Sequence, residues 1–179
     1  MAASGYKLFQ ATEYDQIRFE WEITAQSVAN NTSVIAWKLL LVAGDPGRIY
    51  SSVAKLWSVT VDGETTEGTN YISVENNETR ELASGTKTIS HSTDGSKTFS
   101  FSFSQQFRVN FGGAFIDTVS GSGTGTLDRI ARASTLTASN GTLDVEQTLT
   151  ITRKDSSFKH RLTYKCGDVS EYIAGSTSS

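Results

Sequence analysis

The amino-acid sequence predicts an all-β protein, an antiparallel β-sandwich or jelly roll followed by a small β unit. The main observation is an alternation of polar residues with four phenylalanines, Phe99, Phe101, Phe103 and Phe107. Side chains of a strand point alternately to the two faces of a sheet, so this pattern places the rings on one face. A second alternation covers residues 17–24, and no segment has a convincing helical period. One apolar and one polar face per strand is typical of a two-layer antiparallel sandwich.

Three strands are predicted before the first strong break in the chain. They cover residues 6–14, 17–24 and 34–43. The near-continuous apolar character of 34–43 favours a central strand that is covered on both sides. Together with 17–24 it is expected to form a long antiparallel hairpin. The sequence Gly-Asp-Pro-Gly at 44–47 then interrupts the pattern, because glycine and proline favour turns.

The next strands are separated by short polar turns. Residues 53–61, 71–74 and 82–92 are predicted strands, the second of them a short edge strand. The dipeptide Asp-Gly, a favoured hairpin turn, follows the first of these strands at 62–63 and recurs at 94–95. Because the second Asp-Gly connection is short, we expect the strand before it to pair antiparallel with the phenylalanine strand after it.

A glycine-rich strand is predicted at residues 118–127. Its alternation places Gly121, Gly123 and Gly125 on one face. Glycine weakens a strand interior, so three on the same face indicate that something bulky crosses them. The stack of phenylalanines is the favoured candidate, and a ligand lying on the bare backbone is the alternative.

The chain is predicted to contain two units. Residues 1–128 form the sandwich, 129–133 a linker, and 134–179 a small β unit of three strands. Three strands barely support a core. The second unit is therefore either an appendage docked on a neighbour or the opening of a second, incomplete sandwich.

Charge and composition exclude several classes of partner. A net charge of −3 gives no reason to expect nucleic acid or an anionic membrane. The longest apolar run, 39–43, is too short to span a bilayer. A lone cysteine, Cys166, permits no internal disulfide and favours synthesis in a reducing cytoplasm. The first residues lack a signal peptide, so a role outside the cell would require release by lysis or within a particle.

One later part of the chain resembles a known family. The residues are Arg132-Ala-Ser-x-Leu-Thr-Ala-x-Asn-Gly-Thr-Leu, followed by Ile151-Thr-Arg and Phe158-x-His-x-Leu-Thr-Tyr-Lys. They resemble minor structural proteins of the tails of siphophages that infect Gram-positive hosts. In that family a Ser/Thr-rich sandwich similar to carbohydrate-binding modules precedes Ig-like units. The resemblance implies a virion component of the tail tip or fibre that assembles with other virion subunits as a homo-oligomer.

Catalysis is not predicted. His91 and His160 lie far apart in mid-strand positions, and no nucleophile pattern accompanies them. Two carboxylates such as Glu20 and Glu22 could serve glycoside hydrolysis, but Arg18 beside them favours a solvated charged stripe. The acidic residues in loops lack the dense spacing of a calcium motif. We therefore predict no enzyme, no metal and no cofactor.

Saccharide binding requires exposed aromatic rings with polar groups close by, since the ring covers C–H faces while the polar groups fix orientation. Trp21 and Trp37 share faces with apolar neighbours and are predicted to be core residues. Three other aromatic residues border polar loops; for any one of them a core position is favoured, but as a cluster they form the preferred binding patch. The candidate saccharide patch consists of Arg48, Tyr50, Trp57, Asn70 and Tyr71.

The function predicted from these observations is a non-enzymatic virion structural protein of the tail or adhesion apparatus. Its patch would hold host cell-wall saccharide weakly, and many copies in one particle would make attachment firm. Two alternatives stay open. One is a purely structural head or tail decoration protein without a ligand, and the weaker one is a glycan hydrolase.

Overall fold

A computed structural model describes residues 4–111, 114–138, 148–154, 162–166 and 169–173. Two compact units divide between Ile130 and Ala131. The described residues contain strands and no helix, and hence no helix of the length and hydropathy that a membrane span needs. The strands of the first unit are β1 (Ser4–Gln10), β2 (Gln16–Ser27), β3 (Thr32–Val42), β4 (Ile49–Tyr50), β5 (Lys55–Val61), β6 (Glu64–Asn70), β7 (Ser73–Val74), β8 (Thr79–Ser90), β9 (Lys97–Phe111) and β10 (Ala114–Leu127).

The first unit consists of two four-stranded sheets and a short ladder, and all of its strand pairs are antiparallel. Sheet 1 has the order β1-β2-β3-β8, and sheet 2 has the order β10-β9-β5-β6. Strands β4 and β7 form the separate ladder. Apolar side chains from both sheets make one buried core. The predicted all-β antiparallel sandwich is confirmed.

The second unit contains two antiparallel pairs. Strand β11 (Thr135–Ala138) pairs with β12 (Leu149–Thr152), and β13 (Leu162–Cys166) pairs with β14 (Val169–Ile173). The sequence predicted three strands here, and β14 is the one that was missed. His160 and the predicted strand positions Leu143 and Val145 lie outside the described residues, as does the predicted turn at 139–141. The predicted boundaries at 128 and 133 stay predictions.

The predicted hairpin of β2 and β3 is confirmed. The two strands pair from Gln16 opposite Val42 to Ser27 opposite Thr32. The prediction that β3 is covered on both sides is wrong. Its outer face exposes Lys38 and leaves neighbouring positions half-buried, because sheet 1 has a partner layer on one side only. The near-continuous apolar character of β3 arises because Leu40, on the outer face of the strand, is buried as well.

The predicted pairing of β8 with the phenylalanine strand β9 is wrong. Strand β8 pairs with β3 in sheet 1, whereas β9 lies between β10 and β5 in sheet 2. The short connection therefore passes from one layer to the other. Both strands have an apolar face, which buries Ile89 on β8 and Phe99 on β9. Packing these faces against each other buries both, which edge-to-edge pairing in one sheet would not do.

The phenylalanine and glycine strands are neighbours, as predicted. In the register of β9 and β10, Phe99 lies opposite Gly125 and Phe103 lies opposite Gly121. A Cβ on Gly125 would lie 2.5 Å from Cε1 of Phe99. The rings thus occupy the space above the glycines, and Phe101 also stacks on Phe19 of sheet 1 at 4.0 Å between ring centroids. The phenylalanine stack, rather than a ligand, covers this glycine face.

Candidate functional site

The candidate site is an open groove of about 410 Å³ on the outer face of sheet 2, here called the sheet-2 groove. It crosses β6, β5, β9 and β10. Its lining residues are Leu56, Trp57, Ser58, Glu67, Gly68, Thr69, Ser104, Gln106 and Thr118. Most of them are polar, and one of them, Glu67, carries a charge.

Strand alternation positions the polar side chains of this groove. Strand β9 buries Phe103, Gln105 and Phe107 toward the core, so Ser104 and Gln106 project outward between them. The cross-strand register continues the same face across the sheet. Ser58 of β5 lies opposite Ser104 of β9 and opposite Glu67 of β6, and Ser104 lies opposite Ser120 of β10. The outer face is therefore a surface of short hydroxyl side chains.

Several of these polar groups have no partner among the described residues, although the Thr118 hydroxyl donates to Asp117 at 3.4 Å. Within the described part of the chain, the side chains of Ser58, Ser104 and Gln106 make no hydrogen bond to the protein. The carboxylate of Glu67 forms no ion pair there either. Their donors and acceptors are therefore available to a hydroxylated ligand.

Two of the predicted aromatic residues are exposed but do not line the groove. Tyr50 and Tyr71 expose 67% and 65% of their surface. Asn70 and Ile72 point inward, so Tyr71 between them faces the same side as Thr69, which lines the groove. Tyr50 lies opposite Ser73 in the β4–β7 ladder, which is separate from sheet 2. Neither tyrosine is among the residues that line the sheet-2 groove, although Tyr71 directly follows β6, which contributes Thr69 to that lining.

Trp57, the third predicted aromatic residue, is half-buried and borders the groove, but its side chain points away from the outer face. It shares the inner face of β5 with Val59 and Val61, as predicted. Its ring lies over Gly68 on the neighbouring strand, where a Cβ would be 2.6 Å from Cζ2 of Trp57. Trp21 and Trp37 are buried, so their prediction as core residues is confirmed.

The two predicted polar residues have partners within the protein. Asn70 donates to the carbonyl oxygen of Leu82 at 2.9 Å and exchanges hydrogen bonds with the buried amide of Gln105. Nε of Arg48 lies 3.2 Å from a carboxylate oxygen of Glu75, in an ion pair that is largely exposed. Binding of a saccharide by Arg48 or Asn70 would have to compete with these contacts. Their role as ligands stays a prediction.

Three residues of the groove, Leu56, Glu67 and Gln106, were not predicted from the sequence as site residues. Strand parity counted from Val59 would have placed Leu56 and Ser58 outward. Glu67 was hidden because β6 is acidic, polar and rich in threonine, and was not predicted as a strand. Its pairing with β5 is visible only in the tertiary structure.

The groups considered for catalysis lie elsewhere. His91 is buried, with Nδ1 2.8 Å from the carbonyl oxygen of Gly95 and Nε2 2.7 Å from the hydroxyl of Ser33. Nδ1 therefore donates to the carbonyl, and these contacts hold the connection between β8 and β9. Glu20 lies on the outer face of sheet 1, 3.2 Å from Nε of Arg18. Among the described residues, no cluster of His, Cys, Asp or Glu side chains suits a metal ion.

Comparison with known proteins places the chain in a phage family. A family model described as "Siphovirus protein of unknown function" (DUF859) matches residues 12–179. Neither curated proteins nor solved structures gave a match. The predicted siphophage origin is confirmed at this level, while the tail location and the likeness to carbohydrate-binding modules stay predictions. Since the match covers nearly the whole sequence, the chain belongs to this family of siphovirus proteins, which suggests an association with the virion.

Proposed function

We propose that this protein is a non-enzymatic component of the phage tail or adhesion apparatus and binds host cell-wall saccharide in the sheet-2 groove. Membership of a siphovirus protein family supports the first part of the proposal. The observation that carries the second part is the groove, in which the side chains of Ser58, Ser104 and Gln106 have no hydrogen-bond partner among the described residues, together with the exposed Tyr71 that directly follows β6.

The proposed contacts follow the chemistry of a pyranose ring. The apolar body of Tyr71 covers a C–H face, while Ser58, Ser104 and Gln106 exchange hydrogen bonds with hydroxyl groups. Each such hydrogen bond replaces one to water and contributes about 0.5–1.5 kcal/mol net. An open groove with few contacts binds weakly, so firm attachment depends on several copies that engage the surface together.

The charge of the groove favours an uncharged saccharide. Glu67 is the one ionised residue among its lining residues, and the whole chain has a net charge of −3. A phosphate-bearing polymer would place like charge beside Glu67 without a cation to balance it. Neutral glycan strands avoid this repulsion.

A glycan-binding assay on an oligomerised sample of the full chain tests the proposal. Wild-type protein is expected to retain neutral cell-wall saccharide, and Gln106→Ala to weaken each site by about fivefold, which corresponds to the loss of one hydrogen bond worth ~1 kcal/mol. Tyr71→Ala is expected to weaken binding as well. Thr126→Ala is the matched control, because Thr126 lies on the same face at the far end of β10.

Two results would contradict the proposal. One is the absence of binding by wild-type protein to any cell-wall saccharide. The other is equal loss of binding in Gln106→Ala and Thr126→Ala. If binding is absent but light scattering detects a defined oligomer, the alternative of a purely structural virion protein is favoured.

A further inference from the structure

The opposite face of the sandwich contains a second groove, of about 580 Å³, on the outer side of sheet 1. It crosses β1, β2 and β3. The register places Tyr6 opposite Glu20, and Glu20 opposite Lys38. We infer that this sheet-1 groove, which contains Tyr6 and Glu22, is a separate binding site for a sugar that bears a free ammonium group.

The platform of this site is Tyr6. Its side chain is 62% exposed, although it lies in the middle of a regular edge strand. Within the described residues, its ring makes no contact with another aromatic ring. The next cross-strand row of the groove consists of Ser4, Glu22 and Ala36, and the two small residues leave space beside the tyrosine. A ring-shaped ligand can therefore lie against Tyr6.

The charges of the groove are balanced except at one residue. Glu20 lies 3.2 Å from Arg18, and Lys38 lies 3.4 Å from Glu81. Among the described residues, Glu22 has neither an ion pair nor a hydrogen-bond donor at its carboxylate. One uncompensated negative charge therefore remains in the groove.

Tyr6 and Glu22 together select the class of ligand. They are diagonal neighbours across β1 and β2, a relation in which Cα atoms are about 7–8 Å apart and long side chains can meet. An ammonium group between them would pair with the carboxylate and lie near the negative face of the ring. The hydroxyls of the same sugar can reach Ser4 and Glu20. A polyanion would be repelled, and a neutral sugar would leave Glu22 without a counter-charge.

Calorimetric titration of the full chain with a glucosamine tetramer and its fully N-acetylated form, at pH 6, tests this inference. The amine form is expected to bind about threefold more tightly, the factor supplied by a surface ion pair worth ~0.6 kcal/mol. Glu22→Gln is expected to abolish this preference, so that the two tetramers bind equally to this variant. Tyr6→Ala is expected to weaken both by about fivefold, as expected for an aromatic contact worth ~1 kcal/mol.

Leu8→Ala is the matched control, because Leu8 lies on the same strand and face as Tyr6 and does not line the groove. Tyr71→Ala separates the two sites, since it is expected to affect the sheet-2 groove alone. The inference is overturned if the two tetramers bind equally, if neither binds, or if the preference survives Glu22→Gln. Tighter binding of a lysine peptide than of the glucosamine tetramer would overturn the assignment to a sugar.

Discussion

Gln105 and Asn70 exchange two hydrogen bonds between their side-chain amides and so connect β9 with β6 across β5. Nδ2 of Asn70 donates to Oε1 of Gln105 at 2.9 Å, and Nε2 of Gln105 donates to Oδ1 of Asn70 at 3.1 Å. Gln105 is wholly buried on the phenylalanine face of β9. Buried amides are stable only when they are hydrogen-bonded, so each residue makes the position of the other possible.

The amide pair is expected to be sensitive to loss of either partner. Gln105→Leu leaves the Asn70 amide partly unsatisfied and should lower the free energy of unfolding by about 1–3 kcal/mol, measured by urea denaturation. Asn70→Ala should have a similar effect. Gln106→Leu is the control, because Gln106 is next to Gln105 in the strand but points outward. Its free energy of unfolding should stay within about 0.5 kcal/mol of that of wild type.

The double variant of Gln105 and Asn70 tests whether the two amides act together. Once one partner is removed, removal of the other no longer leaves a paired group unsatisfied, so the double variant should cost less than the sum of the two single variants. Additive effects would show that the two side chains contribute to stability independently.

The glycine face of β10 is expected not to tolerate a methyl group. In Gly125→Ala the new Cβ would lie 2.5 Å from Cε1 of Phe99 and 2.8 Å from Cζ2 of Trp21. Both rings are buried, so relief requires movement of the core and should lower the free energy of unfolding by about 1–3 kcal/mol. Thermal denaturation measures this loss. Thr124→Ala, on the outer face of the same strand, is the control, and an equally stable Gly125→Ala would contradict the packing argument.

Asp15 is expected to make stability depend on pH. Its side chain is wholly buried, and desolvation raises its pKa above the ordinary value of 3.8, opposed by hydrogen bonds from the Thr12 hydroxyl and the Gly44 N–H. The folded state therefore binds this proton more tightly than the unfolded state does. The resulting stabilisation is complete below the unfolded pKa and is lost as pH rises through the folded pKa. Relative to Asp15→Asn, wild type should be more stable at pH 4 than at pH 7 in urea denaturation.

Asp94 is a control for which the stability is expected to change with pH in the opposite direction. Hydrogen bonds from the N–H and hydroxyl of Ser96 hold the pKa of Asp94 below 3.8. Its contribution is therefore present above the unfolded pKa and is lost as pH falls. Relative to Asp94→Asn, wild type should therefore have a higher free energy of unfolding at pH 7 than at pH 3. A parallel pH profile for the two variants would contradict these assignments.

Local periodicity was enough to predict most strands and their inner faces. The alternation in β2 placed Ile17, Phe19 and Trp21 in the core, and the three aligned glycines of β10 pointed to the rings that cover them. These predictions succeeded because the direction of a side chain in a strand depends only on parity and on the polarity of near neighbours. The candidate site was harder to predict from the sequence. Its lining comes from four strands, and one of them, β6, has no alternation of apolar and polar residues.

The sequence by itself determined an all-β chain and the buried aromatic face of β9, whereas the exposure of Tyr50 and Tyr71 is visible only in the tertiary structure. Tertiary structure decided that β8 and β9 belong to different sheets, that β6 completes sheet 2, and that Gln105 is buried with a partner far away in the chain. The physical reason is that the partner of a strand is selected by long-range hydrogen bonds and by packing between layers. Two strands with the same alternation can satisfy that packing either within one sheet or across two.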